Sequence, residues 1–330
     1  PRPQFRSRRQ GRPPRFNPLG LPARAPAQTM RIGMHVRGFE SGRPVAAAKA
    51  VERGAEAVQI FTSNPRQWRV PPVESSADAE LKAQMTEAGL GPLFIHAPYL
   101  VNLASPTEAT RDASCRTVAW TMKRAGALRV EGVIVHAGHC VGRDRAEALD
   151  CSAGLIRNLM SSAPAGPGLL LELTSGAKGA VASLLPQAAE LLDKCGPHPN
   201  LGICLDTCHL HAAGYDLSGP EGVDRLIAEV EEHVGLERLG LIHSNDSRDP
   251  RDSRRDRHWH VGQGEIGLEG FRALVAHPAL AQTPFICETP GEVEDDRANI
   301  AVLKALRDGL PVSLSAGREP AAVERVARPH

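Results

Sequence analysis

Histidines and carboxylates recur at one kind of place in this chain. Short apolar runs finish on or beside His35, His96, His136, Glu172, Asp206, His243 and Glu288. With 13 His and 38 Asp plus Glu among 330 residues, chance placement would leave most such runs ending on something else. A lone histidine at the end of an apolar run usually reads as a hydrogen-bonded core residue. The coincidence of seven reverses that reading, because charged and imidazole side chains crowded into one buried place are costly unless a cation offsets them. Two further stretches add donors. Asp206-Thr207-Cys208-His209 places Asp206 and His209 three apart, on one side of a turn. Asp256-Arg257-His258 places two donors two apart, which point the same way in extended backbone.

The donor set is then His96, His136, Glu172, Asp206, His209, His243, Asp256, His258 and Glu288. Mixed imidazole and carboxylate donors without thiolates suit Zn²⁺, with Mn²⁺ or Fe²⁺ as substitutes. The set exceeds what one zinc takes. With one bridging carboxylate and open positions for water or substrate it suits three metals per chain. Such a cluster supports metal-assisted hydrolysis of a phosphate ester, with Glu172 or Glu288 as the catalytic carboxylate that orients the attacking water. The remaining charges of residues 246–260, rich in Arg and Asp, read mostly as a solvated loop.

These donors need elements that bring them together. The apolar runs are Ile32–Val36, Ala57–Thr62, Leu93–His96, Gly132–His136, Gly168–Glu172, Leu201–Asp206, Leu239–His243 and Pro284–Glu288. Unbroken apolar runs suit strands covered on both faces, as in parallel sheets. Amphipathic stretches alternate with them: Pro44–Arg53, Asp78–Ala88, Arg111–Ala125, Arg145–Met160, Ala180–Lys194, Gly222–Val234, Leu268–Ala276 and Val293–Leu306. Eight strand–helix units predict an α/β chain forming a single (β/α)8 TIM barrel, with the active site at the C-terminal face of the strands. An open doubly wound sheet is the alternative, but no glycine-rich phosphate turn follows the first strand. Gly262-Gln263-Gly264-Glu265-Ile266-Gly267 fits the dinucleotide-binding spacing only out of context, and reads as a loop entering the helix near Leu268.

Charge is unevenly placed. Of the 39 Lys and Arg, seven arginines lie in residues 1–29 with no acid, which leaves 32 basic against 38 acidic residues elsewhere. An acidic body binds a polyanion only through a local basic surface or bound cations. Residues 1–29 are expected to form a disordered Arg/Pro-rich arm, either an electrostatic anchor for DNA or sequence upstream of a true start at Met30. Residues 30–310 form the catalytic barrel and 311–330 a loose tail. No run is long and apolar enough for a membrane helix or a secretory signal, so the expectation is a cytoplasmic protein without membrane contact, and a monomer. The seven cysteines lack a C-x-x-C pair and are expected to be reduced and mostly buried.

Several segments then carry a resemblance. "IFTSNPRQW", "FIHAPYLVNLASP", "VIVHAG", "LLLELTSG", "CLDTCHLHAAGYDL", "IHSNDS", "DRHWHVGQGEIG" and "FICETP" are similar to the signature blocks of the endonuclease IV family of apurinic/apyrimidinic (AP) endonucleases, from about Arg31 to Leu306. The resemblance implies that His96 and His136 hold one zinc, and that Glu172 bridges it to a second completed by Asp206, His243 and Glu288. His209, Asp256 and His258 would hold the third. It implies hydrolysis of the phosphodiester 5′ to an abasic site in double-stranded DNA, leaving a 3′-hydroxyl, with trimming of blocked 3′ ends. Arg66 and Tyr99 would enter the DNA at the lesion. Three places depart from the family pattern: Leu173 in "ELTSG", the "HAGHC" run, and Trp259 within "HWH". None removes a donor; they bear on what holds the donors in place.

Two other readings stay open at this level. A metal-dependent sugar isomerase or epimerase on the same barrel also gathers acids and histidines at strand ends, but has no use for the set His209, Asp256 and His258. A non-catalytic protein that binds damaged DNA has no use for a bridged pair of metals.

Overall fold

The structure, a computed structural model, describes residues 30–72, 75–312 and 314. The expected arm, and the tail apart from residues 311, 312 and 314, lie outside the described residues. Eight parallel strands close into a barrel: β1 (Ile32–Arg37), β2 (Ala57–Phe61), β3 (Leu93–His96), β4 (Gly132–His136), β5 (Gly168–Glu172), β6 (Leu201–Asp206), β7 (Leu239–His243) and β8 (Phe285–Cys287). Each pairs with its neighbours in sequence, and β8 pairs with β1 to close the ring. The strands match the expected runs to within a residue, because their period and burial are unambiguous. His35 is the exception at an end: β1 continues two residues past it.

Helices cover the outside at Ala46–Arg53, Ser75–Glu87, Glu108–Leu128, Arg145–Ser162, Leu185–Cys195, Pro220–His233, Gly267–Ala276 and Val293–Arg307. One short helix, Thr207–Ala213, follows β6 where a turn was expected. It starts because the Asp206 side chain accepts from the backbone N of His209 at 3.0 Å, an N-cap. The helix expected from Ala180 starts only at Leu185. Residues 180–184 instead run as irregular backbone beside the loop after β4, where Val181 N donates to Gly138 O and Ala180 bridges His139.

Side chains of a strand alternate between faces, and this alternation builds the interior in layers. Ala57, Phe94, Ile134, Leu170, Cys204, Leu241 and Ile286 form one buried cluster of their own, with one residue from each of seven strands. A second, larger cluster fills the space between barrel and helices. Two residues after each member of the inner layer stand Gln59, His96, His136, Glu172, Asp206, His243 and Glu288. They therefore point into the barrel one layer higher, at the C-terminal mouth. The apolar layer beneath seals the site from the other end. All seven cysteines are free, five of them buried.

Candidate metal centre

Glu172 is the hub of the polar layer. It is fully buried, and four imidazoles surround its carboxylate. Oε2 lies 3.2 Å from His96 Nε2 and 3.4 Å from His136 Nε2. Oε1 lies 3.1 Å from His243 Nδ1 and 3.3 Å from His209 Nδ1. Burial opposes its charge, but His243 and His136 hold the carboxyl well below the usual range.

Hydrogen bonds to backbone carbonyls decide which ring nitrogens are free. A backbone carbonyl can only accept, so a ring nitrogen facing one carries the proton. His96 Nδ1 lies 2.6 Å from Ala97 O, His209 Nδ1 2.9 Å from Leu173 O, and His258 Nδ1 3.0 Å from Glu288 O. In the neutral form of each ring, the form that binds a cation, Nε2 is thereby left with its lone pair. His96 Nε2 faces Glu172. His209 Nε2 faces Asp256 Oδ1 at 3.3 Å. His258 Nε2 lies 3.2 Å from Asp256 Oδ1 and 3.4 Å from Asp206 Oδ2, and it is buried with no hydrogen-bond partner. Lone pairs aimed at carboxylate oxygens repel unless positive charge sits between them. Burial works against a proton on His258, but Asp206 and Asp256 push its pKa up to about 9. The field calls for cations.

Those donors fall into groups whose ligand atoms lie within 4.8 Å of one another: His96, His136 and Glu172; Glu172, Asp206 and His243; Asp206, His209 and His258; and Cys208, Asp256 and His258. Glu172 is common to the first two groups. Asp206 links the second and third through Oδ2, which faces both His243 and His258 while Oδ1 caps the helix after β6. Glu288 Oε2 stands 3.6 Å from His243 Nδ1. All nine expected donors thus converge at one mouth. His35 Nδ1 lies 3.1 Å from Glu288 Oε1 and belongs to the wall rather than to any of these groups.

Two amides in this layer are not metal-ligand types, and the sequence did not single them out. Gln59 contacts His243, Glu288 and His35. Asn245 donates to Asp206 Oδ2 at 2.7 Å and accepts from Glu288 N at 2.7 Å. The signal available for Gln59 was a polar residue at an inward register position of an otherwise apolar strand.

The departures from the family pattern find their places. Leu173 buries its side chain in the core while its carbonyl fixes His209. In the "HAGHC" run the backbone of His139 is clasped by the Asn102 amide. Trp259 lies under the Arg248 guanidinium, 5.1 Å from its ring centre. At the rim, Tyr99 is 55% exposed and meets Phe61 edge-on at 5.1 Å. Arg66 sits exposed in the loop after β2, where its backbone N bonds Asn64 Oδ1. Arg66 and Tyr99 are thus outside the donor layer, on the face that opens to solvent.

The chain matches known proteins over most of its length. Residues 47–308 fit a family described as a xylose isomerase-like TIM barrel. A probable endonuclease 4 of Streptomyces avermitilis is 39% identical over 281 residues, covering 84% of this chain and 90% of that protein. One from Chloroflexus aggregans is 37% identical, covering 84% and 97%. The crystal structure of endonuclease IV from Thermus thermophilus superposes with a TM-score of 0.74 at 33% identity, covering 84% of this chain and 99% of that one. A D-tagatose 3-epimerase-like protein shares the fold, with a TM-score of 0.67 at 19% identity. Seated on a closed barrel whose mouth collects these donors, the chain belongs to the endonuclease IV family of apurinic/apyrimidinic endonucleases.

Proposed function

We propose that this chain is a zinc-dependent DNA-repair hydrolase that cuts the phosphodiester 5′ to an abasic site in double-stranded DNA and leaves a 3′-hydroxyl. The observation that carries the reading is the set of imidazole lone pairs aimed at buried carboxylates around Glu172 and Asp206. His96 and His136 with Glu172 would hold one ion. Glu172, Asp206, His243 and Glu288 would hold a second, and His209, Asp256 and His258 a third, with Asp206 in reach of that ion too. Bound zinc, or Mn²⁺ or Fe²⁺ in its place, supplies Lewis acidity and positive charge for a phosphodiester approaching its transition state.

The chain's own groups do the rest. Glu172 and Glu288 accept and orient the protons of the attacking water, whose oxygen bonds to phosphorus as the bond from phosphorus to the 3′-oxygen breaks. The buried apolar layer below keeps the site open on one side only. Tyr99 and Arg66, exposed at that side, contact the lesion. A blocked 3′ end presents the same bond, so trimming of such ends belongs to the same reading. The enzyme acts as a monomer in the cytoplasm; no helix among the described residues is long and apolar enough to cross a membrane.

A duplex with one abasic analogue tests this. One nick 5′ to the lesion, extendable by a polymerase, should appear, vanish with chelator and return with zinc. Binding without scission by fully zinc-loaded protein would overturn the enzyme reading. Sugar epimerisation without scission would move the chain to the isomerase branch of this fold.

A further inference from the structure

Gln59 is fully buried in the middle of β2, in register with His35 on one side and Phe94 on the other. Its amide reaches past β1 to the two strands beyond. Oε1 lies 2.8 Å from His243 Nε2, and Nε2 lies 2.5 Å from Glu288 Oε1 and 2.9 Å from His35 Nδ1. The orientation of the amide is set by chemistry. A carboxylate can only accept, so the NH₂ faces Glu288 and the carbonyl oxygen faces His243. His243 must then carry its proton on Nε2, which leaves the lone pair on Nδ1, the atom 3.1 Å from Glu172 Oε1.

We propose that Gln59 is a positioning residue that selects the metal-binding tautomer of His243 and fixes the carboxylate of Glu288. This rests on the reading of His243 and Glu288 as ligands of one ion. Without the amide oxygen, the Nε2–H of His243 loses its oxygen acceptor in a sealed site, where the neighbouring Cys204 sulfur is a much weaker one. The ring then gains by moving its proton to Nδ1, where Glu172 accepts it, and that proton occupies the donor position of the ligand. Without the amide NH₂, Glu288 is free to rotate out of the ligand geometry. Partners behind metal ligands typically account for about 10- to 100-fold in metal affinity.

Gln59→Met keeps the length and volume and removes both contacts. In the intact protein, elemental analysis under a zinc buffer should show wild type holding three ions and Gln59→Met releasing one of them at about 10- to 100-fold lower chelator strength. The rise in Tm produced by zinc should shrink, while the Tm in excess chelator stays near that of wild type. Long-range ¹H–¹⁵N correlations should move the His243 proton from Nε2 to Nδ1. Gln59→Glu keeps an acceptor for His243 and removes the donor to Glu288, so it should retain the Nε2–H tautomer and still bind one ion more weakly. If Gln59→Met folds poorly, this second variant carries the test. Wild-type metal affinity in the variants, or an equal drop in Tm with zinc and with chelator, would assign Gln59 a packing role only and overturn the inference. A wild-type chain that takes up no metal would instead defeat the reading of the centre itself.

Discussion

His243 Nδ1 lies 3.1 Å from Glu172 Oε1, with both side chains sealed from solvent. The same carboxylate faces His96 and His136 through its other oxygen. One anion therefore stands between imidazoles from β3, β4 and β7, and its two oxygens belong to two different donor groups. Glu172→Gln keeps the shape and replaces one oxygen by an NH₂ that cannot ligate. Zinc content should fall, and cleavage of an abasic duplex should drop by more than about a hundredfold, with the barrel still folded by circular dichroism. Turnover equal to wild type would remove Glu172 from the machinery.

Tyr99 offers an exposed ring held edge-on by Phe61, and Arg66 an exposed guanidinium on the neighbouring loop. Neither belongs to a donor group. Tyr99→Ala should therefore leave metal stoichiometry unchanged and weaken binding of lesion-containing DNA by the worth of a stacking contact, about 1–3 kcal/mol, or roughly fivefold to 150-fold. Arg66→Ala should act in the same direction, with a shallower dependence of binding on salt. A loss of metal in either variant would contradict a role confined to DNA.

The strands, and the convergence of the nine candidate donors at one mouth, were legible because both signals are local. An apolar run such as Leu169–Leu171, repeated eight times between amphipathic stretches, reads as a covered strand, and the donor stands at a fixed step beyond the inward residue. Leu170 leads to Glu172, and Leu241 to His243, by the same two positions. What was not legible depends on partners far along the chain. Gln59 gains its meaning from residues 184 and 229 positions away, and an amide carries no metal signature. The short helix after β6 was hidden because Asp206 serves twice, with one oxygen capping the helix and the other facing the site. The sharing of Asp206 between donor groups follows from that same geometry and from nothing in the spacing alone.

The glycine pattern at 262–267 also finds its physical reason. The buried Asp246 carboxylate accepts from Ser247 N, Gly264 N, Ile266 N and Gly267 N, so this loop wraps a carboxylate of the chain itself. Asp246 and Ser247 pair with Trp259 and His258, which ties the loop to the His258 imidazole of the donor layer. A Cβ at Gly264 would meet Ser247 O at 2.3 Å and Asp246 Oδ1 at 2.6 Å. Gly264→Ala should lower stability by about 1–3 kcal/mol and loosen the ion assigned to His209, Asp256 and His258, while the pair around Glu172 holds. Chelator titration of the variant checks this; unaltered release of all ions would show that the loop does not position His258.

At the opposite end of the barrel a carboxylate ties the first strand to the last helix. Glu56, just before β2, accepts from Ile32 N at 3.1 Å and Arg307 Nη1 at 2.7 Å, with Lys304 Nζ at 3.2 Å. It thereby joins the first strand to the last helix. Burial opposes its charge, but the bonds from Arg307 and Ile32 hold the carboxyl below its ordinary value of 4.5. A carboxyl depressed in the folded state binds fewer protons there than in the unfolded chain. Its contribution is therefore complete above the unfolded value and lost as pH falls through the folded one. Glu56→Gln should cost about 1–2 kcal/mol at pH 7, since the side chain is partly open to solvent. The gap to wild type should narrow as pH falls below 4.5, because wild type loses the same term. Unfolding of both proteins, stripped of metal beforehand, at neutral and acidic pH measures it. A gap that is constant across that range would mean that the charge of Glu56 contributes nothing and that only its hydrogen bonds join the first strand to the last helix.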